Sequence, residues 1–257
     1  MLFEKILTWV ALLSLAICTI DYLFFRKNRK VFKKKEPKII ELAYSLMPVL
    51  MLVLIIRSFI VEPFRIPSGS MKPTLLEGDL IVVNKFAYGI KLPISSKKII
   101  PLQNPKVGDV VVFRNTKSGI YVIKRLVGLP GDKIEYKDER LYINGVQVAQ
   151  TLLQQPVIDL SPMLEFKENL AGVEHRIYRA PGNYTPPRPY KFVNNITVPK
   201  GCYFVMGDNR NNSEDSRFWG FVHEDELMGR AVFIWLSIDT EDSDFFIRFN
   251  RIGKKIV

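Results

Sequence analysis

The segment Pro67-Ser68-Gly69-Ser70-Met71-Lys72-Pro73-Thr74-Leu75 carries two hydroxyls in a loop stiffened by prolines, directly behind an apolar stretch. A serine in such a loop becomes a nucleophile only if a base elsewhere in the chain takes its proton. Histidine is a poor source, since the chain holds only His175 and His223, and each sits among polar residues that read as exposed loops. A Ser-His-Asp triad therefore has little to draw on. His223-Glu224-Asp225-Glu226-Leu227 lacks the second histidine of the zinc-peptidase motif, so no metal is expected. The S-x-x-K pattern fails because Gly69 stands three residues before Lys72, and no glycine-rich phosphate loop is present. No cofactor is expected.

A serine with a lysine base is what remains. An amine accepts a proton only when neutral, which requires its pKa to fall from about 10.4 toward roughly 7 to 8 by removal from water. That requirement favours a lysine in apolar company. In Tyr121-Val122-Ile123-Lys124-Arg125-Leu126-Val127-Gly128, strand alternation groups Lys124 with Val122 and Leu126. Lys72, Lys97 and Lys98 read as loop lysines without such a setting. Lys124 is a candidate on these grounds, although edge strands also carry lysine to discourage aggregation. The third polar concentration, Gly207-Asp208-Asn209-Arg210-Asn211-Asn212-Ser213-Glu214-Asp215-Ser216-Arg217, follows an apolar strand. It reads either as a solvated loop with Asx-type turns or as a buried cluster. In the second case Asp215 pairs with Arg217 and a hydroxyl such as Ser213 orients the lysine amine.

The elements that must hold these groups fall into two parts. Apolar stretches at about 3–25 and 39–61 are expected to span a membrane, with residues 1–62 forming an anchor. Between them, residues 26–38 carry eight basic residues and one acid, against Lys5 and Glu4 in the short tail before the first uncharged run. The positive-inside rule puts that loop in the cytoplasm and residues 63–257 across the membrane. The same loop supplies most of the formal net charge of +11, so a nucleic-acid partner is not expected. Cys18 and Cys202 fall one in each part and imply no disulfide framework.

Residues 63–257 read as a mostly β domain with an antiparallel sheet. Strands are expected at 79–83, 109–113, 121–127, 133–136, 141–143, 146–148, 203–206 and 231–236. Leu129-Pro130-Gly131-Asp132 fits a type II turn and Asn144-Gly145 a type I′ hairpin. From about 149 to 198 the pattern weakens among prolines, which suggests an inserted lobe or long loops.

Taken together, the two apolar stretches, the basic loop, Ser68 to Leu75, Gly108 to Phe113, Lys124 to Asp132 and Gly207 to Arg217 resemble the bacterial type I signal peptidases, also called leader peptidases. The resemblance implies a membrane-bound serine endopeptidase of the cytoplasmic (inner) membrane with its catalytic domain outside the cytoplasm. It implies that Ser70 is the nucleophile and Lys124 the general base. The Ser70 N–H and Ser68 hydroxyl would form the oxyanion hole, Ser213 would fix the lysine amine, and Asp215 and Arg217 would support that segment. Substrates would be exported preproteins cut after an Ala-x-Ala-like site, with membrane lipid around the anchor and the export translocon nearby. Phe64, Ile66, Met71, Leu75, Val122 and Ile123 flank the nucleophile or base and are the expected walls of a shallow substrate pocket; ordinary core packing is the other reading of them. Two departures stand out. The inserted lobe lacks the cysteine pair found in some members, and His223 has no assigned role. The rival readings are a LexA-type self-cleaving Ser-Lys protein, which requires a helical DNA-binding domain, and an inactive membrane-anchored binding module.

Overall fold

The computed structural model describes residues 2–27, 37–55, 61–91, 98–116, 119–158, 161–182, 185–239 and 246–257. Two units divide the chain, Met1–Val61 and Glu62–Val257.

In the first unit, runs of leucine, isoleucine and alanine form the helix Leu2–Ile20, which continues as a π-helical turn at Asp21–Phe25. A second helix spans Lys38–Ile55 and accommodates Pro48 internally. They pack through small side chains: Ala11, Ser14, Cys18 and Ala43 are buried, which lets the backbones approach closely. The Ser14 hydroxyl donates to the Ala43 carbonyl at 3.1 Å, and that of Tyr44 donates to the Cys18 carbonyl at 3.2 Å. Trp9, Leu13, Ile39 and Leu52 point outward and are exposed. Among the described residues, one helical stretch, Thr8–Phe25, is long and apolar enough to cross a bilayer. The second span expected at 39–61 runs into residues 56–60, and most of the basic loop is residues 28–36; both lie outside the described set.

In the second unit, valine- and isoleucine-rich segments build an eight-stranded sheet. Its order is Val61–Arg65, Asp79–Asn84, Leu227–Asp239, Val110–Arg114, Tyr121–Gly128, Cys202–Met206 and Val222–His223, with Phe246–Ile247 pairing on the end of the long strand. The pairings given by register are antiparallel. Leu227–Asp239 extends well past the expected 231–236, pairs with three strands along its length, and shifts register against Asp79–Asn84 between Ala231 and Phe233 and between Ile234 and Leu236. Asp132 N–H closes the turn onto the Leu129 carbonyl with Gly131 at φ +92°, and Asn144 and Gly145 both take positive φ, as their turn types require.

The weakly patterned stretch is ordered in large part. Ala149–Gln154, Leu164–Leu170 and Val173–Arg179 form a three-stranded antiparallel sheet. Within it His175 corrects the expectation of an exposed loop residue. It lies in a strand opposite Glu168 and is buried, with Nε2 3.2 Å from that carboxylate. A buried acid directly across the ladder gives the imidazole a polar partner that a reading of neighbours in sequence cannot supply. His223 is exposed, at the end of the short strand Val222–His223.

Candidate active site

Ser68 is extended, and Gly69–Met71 then turns as a single 3₁₀ turn closed by the Lys72 N–H on the Gly69 carbonyl at 3.0 Å. The turn is anchored below by apolar side chains. Ile66, Met71 and Leu75 are buried in one cluster with Ile81, Val83 and Ala231, and Phe64 and Ile123 pack against it. It is anchored at the side by the Thr74 hydroxyl on the Asp208 carboxylate, and by Arg251 donating to the Thr74 carbonyl at 3.0 Å. Of the expected pocket residues, five therefore meet at this cluster. Val122, one position along the alternation from Ile123, packs instead with the cluster of Tyr88, Val111, Phe113 and Leu126.

Lys124 rises from the strand Tyr121–Gly128, opposite Val111, and donates from Nζ to the Ser70 Oγ at 2.6 Å. Its residue exposure is 4%. Burial pushes the amine down to about 8; the carboxylates of Asp215 and Asp208 pull it up and the Arg217 guanidinium pushes it down. Lys72, expected in an open loop setting, is also buried, so burial alone does not separate the two lysines. The bond to Ser70 distinguishes Lys124. Ser68 and Ser70 place their hydroxyl oxygens 3.5 Å apart.

Behind the lysine, the polar segment is a buried cluster and not a solvated loop. Asp208, Asp215, Ser216 and Arg217 are fully buried. Asp215 caps the short helix Ser216–Trp219, accepts from Arg217 Nε and Nη2, each at 2.8 Å, and accepts from the Gly207 N–H at 2.9 Å. The Ser213 hydroxyl donates to the same carboxylate at 2.8 Å. Burial would raise the Asp215 carboxyl, but the Arg217 guanidinium and these hydrogen bonds hold it below its ordinary value. Arg217 itself lies over the rings of Tyr136 and Tyr190, at 4.9 and 5.0 Å from their centroids, and donates to the Arg210 carbonyl at 2.6 Å. A second buried pair, Arg125 with Asp208, stands on the residue after Lys124, with Nε and Nη2 donating at 2.8 and 2.7 Å. The site is thus an amine kept near neutrality beside a hydroxyl, walled by charges that are individually compensated.

Two contributors carried no role in the reading of the sequence. A Cβ on Gly207 would fall 2.2 Å from the Ser213 Oγ and 2.5 Å from the Ser70 carbonyl oxygen, so only glycine allows the strand end to approach both. Asn209 bridges the polar segment to the serine turn through its backbone and its side chain. The glycine heading a polar run after an apolar strand was the one available signal. No signal marked Asn209, which stands among other asparagines.

The family described as signal peptidase, peptidase S26, matches residues 39–236 of the chain. Signal peptidase I of Pseudomonas aeruginosa is 45% identical over 233 residues, covering 85% of this chain and 80% of that protein. That of Pseudomonas fluorescens has the same identity and coverage. Signal peptidase I of Buchnera aphidicola from Schizaphis graminum is 40% identical over 247 residues, covering 81% of this chain and 79% of its own.

Proposed function

The chain belongs to the peptidase S26 signal peptidases, and on that premise we propose that it is a membrane-bound serine endopeptidase removing N-terminal signal peptides from exported preproteins. Ser70 and Lys124 form the catalytic dyad. The observation that carries this reading is the 2.6 Å bond from Lys124 Nζ to Ser70 Oγ, made by an amine pushed down to about 8. Near neutral pH a useful fraction of that amine has a free lone pair, and it already points at the proton to be removed.

Lys124 takes the Ser70 proton as Oγ attacks the scissile carbonyl. The negative oxygen that develops is held by the Ser70 N–H and the Ser68 hydroxyl, which stands 3.5 Å from the nucleophile oxygen. The ammonium of Lys124 then protonates the leaving amine, and the released mature chain departs. The neutral amine next activates a water that hydrolyses the acyl-enzyme and frees the signal peptide. Ser213, expected to fix the lysine amine, donates instead to Asp215, so it would act on Lys124 only through the Asp215 and Arg217 pair behind it. Cleavage after a small residue in an Ala-x-Ala-like site would use a shallow apolar surface at the partly buried Phe64 and Ile123, underlain by the buried Ile66, Met71 and Leu75. No cofactor takes part.

Residues 1–62 anchor the enzyme with two spans joined by the basic cytoplasmic loop, leaving the catalytic domain outside the cytoplasm. The apolar helical stretch Thr8–Phe25 supports a membrane anchor, and the sidedness rests on the charge of the basic loop. The enzyme there meets membrane lipid and works near the export translocon. A LexA-type protein would need a DNA-binding domain where these apolar helices lie. The deciding experiment compares preprotein processing by membranes holding the parent chain, Ser70→Ala or Lys124→Ala. Processing by the parent with a loss of about 10³-fold or more in each variant is expected. Variants that process like the parent would sink the dyad, and an inactive parent would favour a binding module.

A further inference from the structure

The backbone of Ser70 is clamped on both sides by one residue. Asn209 is buried, at 3% exposure. Its Nδ2 donates to the Gly69 carbonyl at 3.1 Å, and its N–H donates to the Ser70 carbonyl at 3.1 Å. Those two carbonyls belong to the two peptide planes that flank the Ser70 Cα, so the pair of bonds fixes φ and ψ of Ser70 together. The first bond has a further consequence. In a trans peptide the Gly69 C=O and the Ser70 N–H lie in one plane and point in opposite directions. Holding the Gly69 oxygen therefore aims the Ser70 N–H, and withdrawing electron density from that oxygen strengthens the N–H as a donor. The Gly69 oxygen also receives the Lys72 N–H at 3.0 Å, so it accepts two bonds.

Asn209 is itself held rigidly. The Tyr178 N–H donates to the Asp208 carbonyl and the Arg210 N–H to the Tyr178 carbonyl, both at 2.9 Å, which lays the strand Val173–Arg179 along the polar segment. Arg210 is pinned further by its buried ion pair with Glu168. The side-chain Oδ1 of Asn209 has no hydrogen-bond partner among the described residues. Burying an acceptor in that way is costly, so the position keeps its amide for the donor end.

We infer that Asn209 is a positioning residue for the oxyanion hole, aiming and polarising the Ser70 N–H through the Gly69 carbonyl. This rests on the reading of Ser70 as nucleophile and of its N–H as an oxyanion donor. The test uses the full chain in detergent or lipid with a peptide substrate, and with the matching peptide aldehyde, whose adduct with Ser70 places an oxygen in the same hole. Loss of a whole oxyanion donor costs about 10²- to 10³-fold in kcat, so a misaimed one in Asn209→Ala is expected to cost about thirtyfold. KM should stay within about twofold, aldehyde affinity should fall about tenfold, and the midpoint of the pH-rate profile should not move. Asn209→Leu, similar in volume and without a donor, should behave alike.

Folded variants with kcat within twofold of the parent would overturn the inference. So would a loss of kcat accompanied by a shifted pH midpoint, because the residue would then act through Lys124. If both variants lose the fold, the role is architectural and the inference fails. A parent inactive on the peptide would instead overturn the protease reading itself.

Discussion

Lys124 works against the fold that contains it. Its amine is pushed from an ordinary 10.5 down to about 8, chiefly by burial, so the neutral base becomes available as pH rises through that value. Peptide cleavage by the full enzyme should accordingly increase with pH, with a midpoint near 8, and a profile flat from about pH 6 to 9 would contradict the dyad. The same shift has a stability consequence whose sign follows from proton counting. Below the folded value both states carry the charge, and the folded state bears a penalty of about 3 kcal/mol. Between the folded and unfolded values only the unfolded chain keeps its proton, so stability rises with pH and the penalty is gone above about 10.5. Lys124→Met, which fills the space without a charge, should therefore unfold roughly 4 to 8 °C higher than the parent at pH 7, after allowance for the lost bond to Ser70. Thermal melts at pH 7 and pH 10 check this. A difference that fails to shrink at the higher pH would mean that burial of the charge is not the cause.

At the scale of elements, the inserted three-stranded sheet matters because it lies along the polar segment behind the site. Glu168 and Arg210 are both buried and form a two-pronged ion pair, with His175 beside the carboxylate. Glu168→Gln strands a guanidinium in the interior, and the expected loss is about 3 to 5 kcal/mol. The double change Glu168→Leu with Arg210→Met removes both charges and should recover most of that loss, as read from unfolding temperatures in detergent. A double variant no more stable than Glu168→Gln would argue that the pair is required for more than charge balance. This sheet also shows where legibility ended. The strands around Lys124 were readable because valines and isoleucines recur there between turns marked by Pro-Gly and Asn-Gly. The inserted sheet hides its pattern, since Glu168 and His175 occupy buried positions where alternation would place apolar residues, and Glu165 is buried on the opposite face. Its tight turn is also disguised: Ala171 takes φ +52° ahead of Gly172, where asparagine would have announced it. Within the site, residue type and neighbourhood marked the serine loop and made Lys124 one candidate base, and only the family resemblance singled out Ser70 and Lys124. The dependence on Asn209 was not legible, because it arises from contact with Gly69 and Ser70, well over a hundred residues away, and Gly207 was marked only by heading the polar run.

On the scale of the whole molecule, charge and hydropathy are separated along the chain in the way the proposed orientation requires. Residues 26–38 hold +7 of the +11 formal charge, and the remaining +4 is spread over all other residues. Moving eight basic side chains through a bilayer is opposed by their hydration and by the membrane potential, whereas anionic cytoplasmic lipid attracts them. In the proposed topology the long polar domain after residue 62 is exported instead. Single introduced cysteines test this directly, because Cys18 and Cys202 are both buried and contribute little background. Lys34→Cys places a thiol in the basic loop, and Lys137→Cys places one at an exposed strand end of the β domain. In intact spheroplasts a membrane-impermeant maleimide should label Lys137→Cys and spare Lys34→Cys, with both labelled after lysis. Labelling of Lys34→Cys alone would invert the topology. Labelling of both before lysis would mean that the first apolar helix and its partner do not form a closed pair of spans, and the proposed two-span anchor would be wrong.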